Sequence, residues 1–118
     1  MGQDSQNLAV VGTNDEDMAL VVNTIREMQG GIVFATEGQV IARVELPIAG
    51  IMSDVDPREL QQSFKKLHQS LFAMGSQQDN PSFDLSLLLT CAVIPELKIT
   101  NRGLVDALSG QFVPLIME

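Results

Sequence analysis

The chain has no tryptophan and no tyrosine, one cysteine (Cys91), one histidine (His68), and only seven Lys and Arg against 15 Asp and Glu in its 118 residues. Each shortage excludes something. With five Phe as the only aromatics, stacking platforms for bases or sugars are poorly supplied. The formal net charge of -8 repels phosphate backbones and anionic lipid surfaces, so neither nucleic acid nor a membrane is expected as a partner. A single thiol cannot form an internal disulfide or a cysteine-based zinc site, and its simplest setting is a reducing cytoplasm. Apolar runs are interrupted by Thr, Pro or a charge well before the roughly 18 residues that span a bilayer. No basic start precedes an apolar stretch of the export type.

What remains is 45% hydrophobic, with six Met, which fits one domain over residues 1–118 with an aliphatic, Met-rich core. An (βα)8 barrel needs roughly 200 residues or more, so barrel chemistry would lie outside this segment.

Residues 8–13 (LAVVGT) read as a short buried strand. Thr13 with Glu16 suggests a capping box, Asp15, Glu16 and Asp17 suit the positive end of a helix dipole, and Met18, Val21, Val22, Ile25 and Met28 recur at helical spacing until Gly30-Gly31. Residues 31–35 and 39–46 are strand candidates around Thr36-Glu37-Gly38, a hairpin signal. The loop LPIAGIMSD carries so many large apolar residues that it is expected to be packed. Asp56-Pro57 with Glu59 starts a second helix, whose stripe Leu60, Phe64, Leu67, Leu71 and Met74 ends at Gly75. Residues 76–82 form a loop, and 85–94 read as a central strand buried on both faces and ended by Pro95. The tail from Ile99 turns at Asn101-Arg102-Gly103 and finishes as an edge strand or a docked arm. The order β-α-β-β-α-β plus a C-terminal strand or arm predicts an α+β, two-layer sandwich with two helices on one face of a mixed or antiparallel sheet.

Few residues offer chemistry. His68 has no second ligand at metal spacing and reads as a half-buried surface histidine. Cys91, in an apolar run without a neighbouring base, reads as a small hydrophobe rather than a nucleophile. Arg58, Lys65 and Lys66 form a solvated helix face, and the turn at Gly12-Thr13-Asn14 precedes too many carboxylates to hold an anion. Asp54 and Glu96 each follow a proline-interrupted apolar stretch, where a carboxylate can sit at the edge of a packed layer or simply cap a loop. The residues alone leave a domain of open function.

The segments DSQN, VVGTNDEDMA, the Gly30-Gly31 pair, LPIAGIMSD, VIPELKITNRGLVD and FVPL, taken in that order over nearly the whole chain, resemble the C-terminal domain of bacterial adenine deaminase. The resemblance implies a full-length enzyme that hydrolyses adenine to hypoxanthine and ammonia. It also implies a preceding amidohydrolase barrel holding a divalent metal, manganese or iron, so no catalytic, cofactor or metal role falls on this segment. A cytoplasmic homo-oligomer in purine salvage is further implied. The family reads His-Asp-Ser-His-Asn where Gln3 and Gln6 here flank Asp4, Ser5 and Asn7. Glutamine keeps hydrogen bonding but does not titrate near neutral pH. From the matching loop segments, Asp4, Asn7, Ser53, Asp54 and Glu96 are expected on the face that meets the barrel. The alternative is a free-standing, non-catalytic binding or regulatory module derived from that domain.

Overall fold

A computed structural model describes residues 8–77 and 91–116. The α+β class holds. Among the described residues two helices accompany two small antiparallel sheets, one of two strands and one of three. The chain divides into two compact units, the first carrying both helices and the two-stranded sheet, the second carrying the three-stranded sheet.

In the first unit, helix α1 (Asp15–Glu27) begins one residue later than a Thr13 cap would place it. Asn14 is the cap: its Oδ1 accepts from the Asp17 amide at 2.7 Å, and its Nδ2 donates to Asp17 Oδ2 at 2.9 Å. Asn caps at least as well as Thr, so the local chemistry shifts the start without changing the helix. The far end closes as a Schellman motif, with Gly30 N donating to Ile25 O (3.1 Å) and Gln29 N to Arg26 O (3.3 Å). The left-handed residue is Gln29, at φ 64°, rather than one of the glycines that follow.

Strands β1 (Gly31–Thr36) and β2 (Gln39–Glu45) pair through a two-residue turn in which Glu37 and Gly38 both have positive φ, 53° and 73°. That is the handedness a tight hairpin requires. Asp17 ties the turn to α1, its carboxylate accepting from the amides of Gly38 (2.8 Å) and Glu37 (3.2 Å). A register shift after Phe34 leaves Ile41 between the pairs Phe34–Ala42 and Ala35–Val40.

Along β2, Ala42 and Val44 point inward, while Ile41, Arg43 and Glu45 are exposed. Helix α2 (Pro57–Ala73) packs on the inward face. Asp56 caps it by accepting from the Arg58 amide at 2.8 Å, and Pro57 occupies the first turn, where a missing N–H costs nothing. Most of its stripe turns inward: Leu67 is fully buried with Ala42, Val44 and Leu46, and Leu60, Phe64, Ile32 and Phe34 close around that cluster, whereas Met74, at the C-cap, is exposed. Gly75, in the left-handed region at φ 95°, ends the helix in a second Schellman motif, Ser76 N donating to Leu71 O at 3.0 Å.

In the second unit, β3 (Leu97–Thr100), β4 (Gly103–Asp106) and β5 (Gln111–Val113) make an antiparallel meander. Thr100 locks the first turn, its Oγ1 donating to Gly103 O (2.8 Å) and accepting from Arg102 N (3.2 Å). Asp106 locks the second through Leu108 N (2.9 Å), Ser109 Oγ (2.7 Å) and its own carbonyl to Gly110 N (2.8 Å).

Further sequence expectations change. In the loop LPIAGIMSD, expected to be packed, Leu46 is buried but Ile48, Ile51 and Met52 are exposed. Residues 8–13 are irregular and not a strand, with Val11 largely exposed; β-branched residues form a strand only where a ladder and a buried face support them. Of the expected strand 85–94, residues 85–90 lie outside the described residues, and 91–94 form a turn closed by Ile94 N to Cys91 O at 3.1 Å, which leaves Val93 in solvent. The tail is neither a single edge strand nor an arm. It supplies two strands of the meander, and β5 stops at Val113 because Pro114 has no N–H to continue the ladder. Of the expected loop 76–82, residues 78–82 lie outside the described residues.

Candidate functional site

Of the five residues expected to face the barrel, Asp4 and Asn7 lie outside the described residues. The other three fall in different units. Ser53 and Asp54 belong to the loop between β2 and α2 in the first, and Glu96 precedes β3 in the second.

The Ser53–Asp54 stretch is positioned by a tight turn. Ile48 and Met52 bridge across it, Ile48 N donating to Met52 O (3.0 Å) and Met52 N to Ile48 O (3.1 Å), while Ile51 N reaches Ile48 O (3.2 Å). The two central residues, Ala49 and Gly50, both have positive φ, 55° and 76°. The base of the turn rests on bare backbone: a Cβ at Gly30 would meet Gly50 Cα at 2.4 Å and Leu46 O at 2.9 Å. Only glycine allows that approach, at a φ of 135° that other residues avoid. Beyond the turn, Ser53 Oγ accepts from Val55 N at 3.4 Å, and Asp54 is exposed.

Ser53 also lines a hollow with Arg43, Glu45, Val55, Glu59, Leu60 and Ser63. Arg43 and Glu45 pair at 3.0 Å across its rim, both half exposed, so the pair is worth little to stability and leaves both charges reachable from solvent. The hollow can order a small polar group or a side chain, but it encloses no buried acid or base.

Glu96 is exposed, and its contribution in the structure comes from its backbone, whose carbonyl accepts from Ala107 N at 2.8 Å and closes the base of the meander. The neighbouring Lys98 is a residue to which the sequence reading assigns no role. It is 5% exposed, and its Nζ donates to the carbonyls of Leu97 (3.0 Å) and Pro95 (3.3 Å). The signal is present in Leu97-Lys98-Ile99: strand alternation puts Lys98 on the face opposite two apolar neighbours, and here the neighbours are the exposed pair. Arg102 lies over the Phe112 ring, 5.3 Å from its centre.

Two carboxylates have perturbed titration. Asp17 is held below its ordinary value, first by the Asn14 side chain and then by the Gly38 amide, and Asp106 likewise by Ser109 and the Leu108 amide. Both bind turns, which makes these shifts structural.

His68 is half-buried on α2, Cys91 is a buried free thiol in the second unit, and Arg58, Lys65 and Lys66 are exposed on α2. Among the described residues no three of His, Cys, Asp and Glu come together as a metal-holding group. By themselves the described residues bring together no donor set for a divalent metal. Likewise, no helix of the described residues is long and apolar enough to cross a membrane.

Comparison with known proteins decides the family. A family model described as the adenine deaminase C-terminal domain matches residues 1–111. The chain belongs to the adenine deaminase C-terminal domain family. Curated relatives named adenine deaminase include those of Kosmotoga olearia (40% identical over 99% of this chain), Clostridium botulinum (42% over 100%) and Moorella thermoacetica (43% over 98%). Against each of these the chain spans about a fifth of the relative's length: 20%, 20% and 19%.

Proposed function

We propose that this chain serves as the C-terminal domain of a full-length adenine deaminase, which converts adenine and water to hypoxanthine and ammonia. The observation that carries the reading is the end-to-end match, at 40 to 43% identity, to adenine deaminases five times its length. The hydrolysis is assigned to the preceding part of the polypeptide, an amidohydrolase barrel holding manganese or iron. This domain, spanning residues 1–118, has a structural, assembly or site-covering role, and the enzyme works as a cytoplasmic homo-oligomer in purine salvage. Supporting a dependent role, large apolar side chains in both units lie exposed, among them Met52, Val55, Leu97 and Ile99.

Asp4, Asn7, Ser53, Asp54 and Glu96 are proposed to face the barrel. Ser53 and Asp54 fit that role best among the described residues, since a hydrogen-bonded turn holds them beside the polar rim of the hollow. Gln3 and Gln6 stand where the family resemblance has histidines, and glutamine can hydrogen-bond but does not titrate near neutral pH.

The test begins with the native polypeptide. An immunoblot against this domain is expected to show a band several times 12.8 kDa, and the purified protein to release ammonia from adenine. In that protein Asp54→Ala lowers turnover or disturbs assembly. An unchanged rate with an unchanged oligomer removes Asp54 from the barrel face, and a band near 12.8 kDa makes the chain an independent module.

A further inference from the structure

The apolar side chains of the turn between β2 and α2 stand where a packed loop would not leave them. Ile48, Ile51, Met52 and Val55 are 44, 45, 54 and 46% exposed. The backbone beneath them is held in shape: three hydrogen bonds close the turn, Ala49 takes a left-handed conformation unusual for a residue with a Cβ, and Gly50 seats against Gly30. A loop shaped by hydrogen bonds and glycine contact, yet presenting aliphatic and thioether groups outward, has the make-up of a preorganised interface core, with Ser53, Asp54 and the Arg43–Glu45 pair as its polar rim.

We propose that this ridge docks against the part of the same polypeptide that precedes the domain, a reading that rests on the full-length enzyme proposed above. The choice of occupant follows from length. About four-fifths of each relative lies outside the match, and the matched domain is the C-terminal one. A tethered body meets the ridge at high effective concentration, so four side chains suffice where a second, free copy would need a larger area. The expected complementary surface is apolar at its centre, with hydrogen-bond donors placed to meet Asp54 and Ser53.

The experiment uses the full-length protein with Met52→p-benzoylphenylalanine and, separately, Ile51→p-benzoylphenylalanine, irradiated in a mixture of heavy- and light-isotope subunits. Lys66, exposed on α2, serves as the control position. The ridge positions are expected to crosslink to peptides of the preceding part with no mixing of isotopes, and well above the Lys66 level. Crosslinks carrying both isotopes, or a yield at both positions no higher than at Lys66, overturn the docking. Intact mass and adenine hydrolysis of the same samples keep the two ideas apart. A long, active enzyme whose ridge crosslinks to another copy refutes the docking alone, whereas a native polypeptide of domain size refutes both.

Discussion

Gly30→Ala tests the contact on which the first unit turns. The alanine would need φ of 135°, a region that is nearly glycine-only and costs of order 1–3 kcal/mol for other residues. Its Cβ would sit 2.4 Å from Gly50 Cα and 2.9 Å from Leu46 O, both backbone atoms that cannot rotate aside. The end of α1 or the 48–52 turn must therefore move, loosening the bond from Leu46 N to Gly30 O, now 3.1 Å, whose net worth is about 1 kcal/mol. Together these effects give a loss of about 3 kcal/mol or more. Gly38→Ala is the matched control: φ is also positive, at 73°, but nothing lies within 4 Å of its Cβ. That variant incurs only the left-handed penalty, of order 1–2 kcal/mol. Urea unfolding, followed by circular dichroism, should place the Gly30→Ala midpoint clearly below that of Gly38→Ala. Midpoints equal to within about 0.5 kcal/mol, the scatter of ordinary surface substitutions, would show that the Gly30–Gly50 approach does not constrain the fold.

Gln29→Gly should stabilise the chain by roughly 0.5–1 kcal/mol, because Gln29 occupies the left-handed position of a Schellman motif that glycine adopts freely; a lower urea midpoint would contradict this. Leu67→Ala removes a fully buried side chain from the cluster of Ala42, Val44 and Leu46, and should cost about 2–5 kcal/mol by the same assay. Acid should weaken the fold through Asp17 and Asp106. Both carboxylates are held below 3.8 in the folded state, so their contribution is fully present above that value and is lost as pH falls through the lower folded value. A pH titration of stability should be flat for these groups above about pH 5, and Asp17→Asn and Asp106→Asn should each flatten the acid limb; an acid limb as steep as wild type in both would remove these turns as its source.

Local chemistry makes both helices and the hairpin legible. The stripe of α2 from Leu60 to Leu67, the proline after Asp56 and the glycine at 38 each act within a few residues, and each lands where its spacing indicates. The errors fall where an element depends on distant partners. LAVVGT has strand composition, but its residues are exposed and irregular, and composition carries no information about whether a ladder is available. The tail misleads in the opposite direction: its strands are only three or four residues long, and they hold because Thr100 and Asp106 lock the turns between them, a side-chain effect that hydrophobic pattern does not register.

The candidate site divides in the same way. The loop segment singles out Ser53 and Asp54 as candidates, and the structure shows how that loop is held in shape: a turn built on Ala49 and Gly50, standing on Gly30. The apolar content of the loop predicts packing, yet three of its large side chains, Ile48, Ile51 and Met52, face outward. The two observations agree once the domain is treated as part of a longer polypeptide, since the rule that apolar groups are buried applies to the assembled protein and not to one fifth of it. By the same logic, the exposure of Leu97 and Ile99 on β3, with Lys98 turned inward between them, reverses the usual strand pattern. A strand that buries its cation and shows its aliphatics is arranged for a neighbour on its outer face, and the exposed ridge of the first unit is arranged for one too.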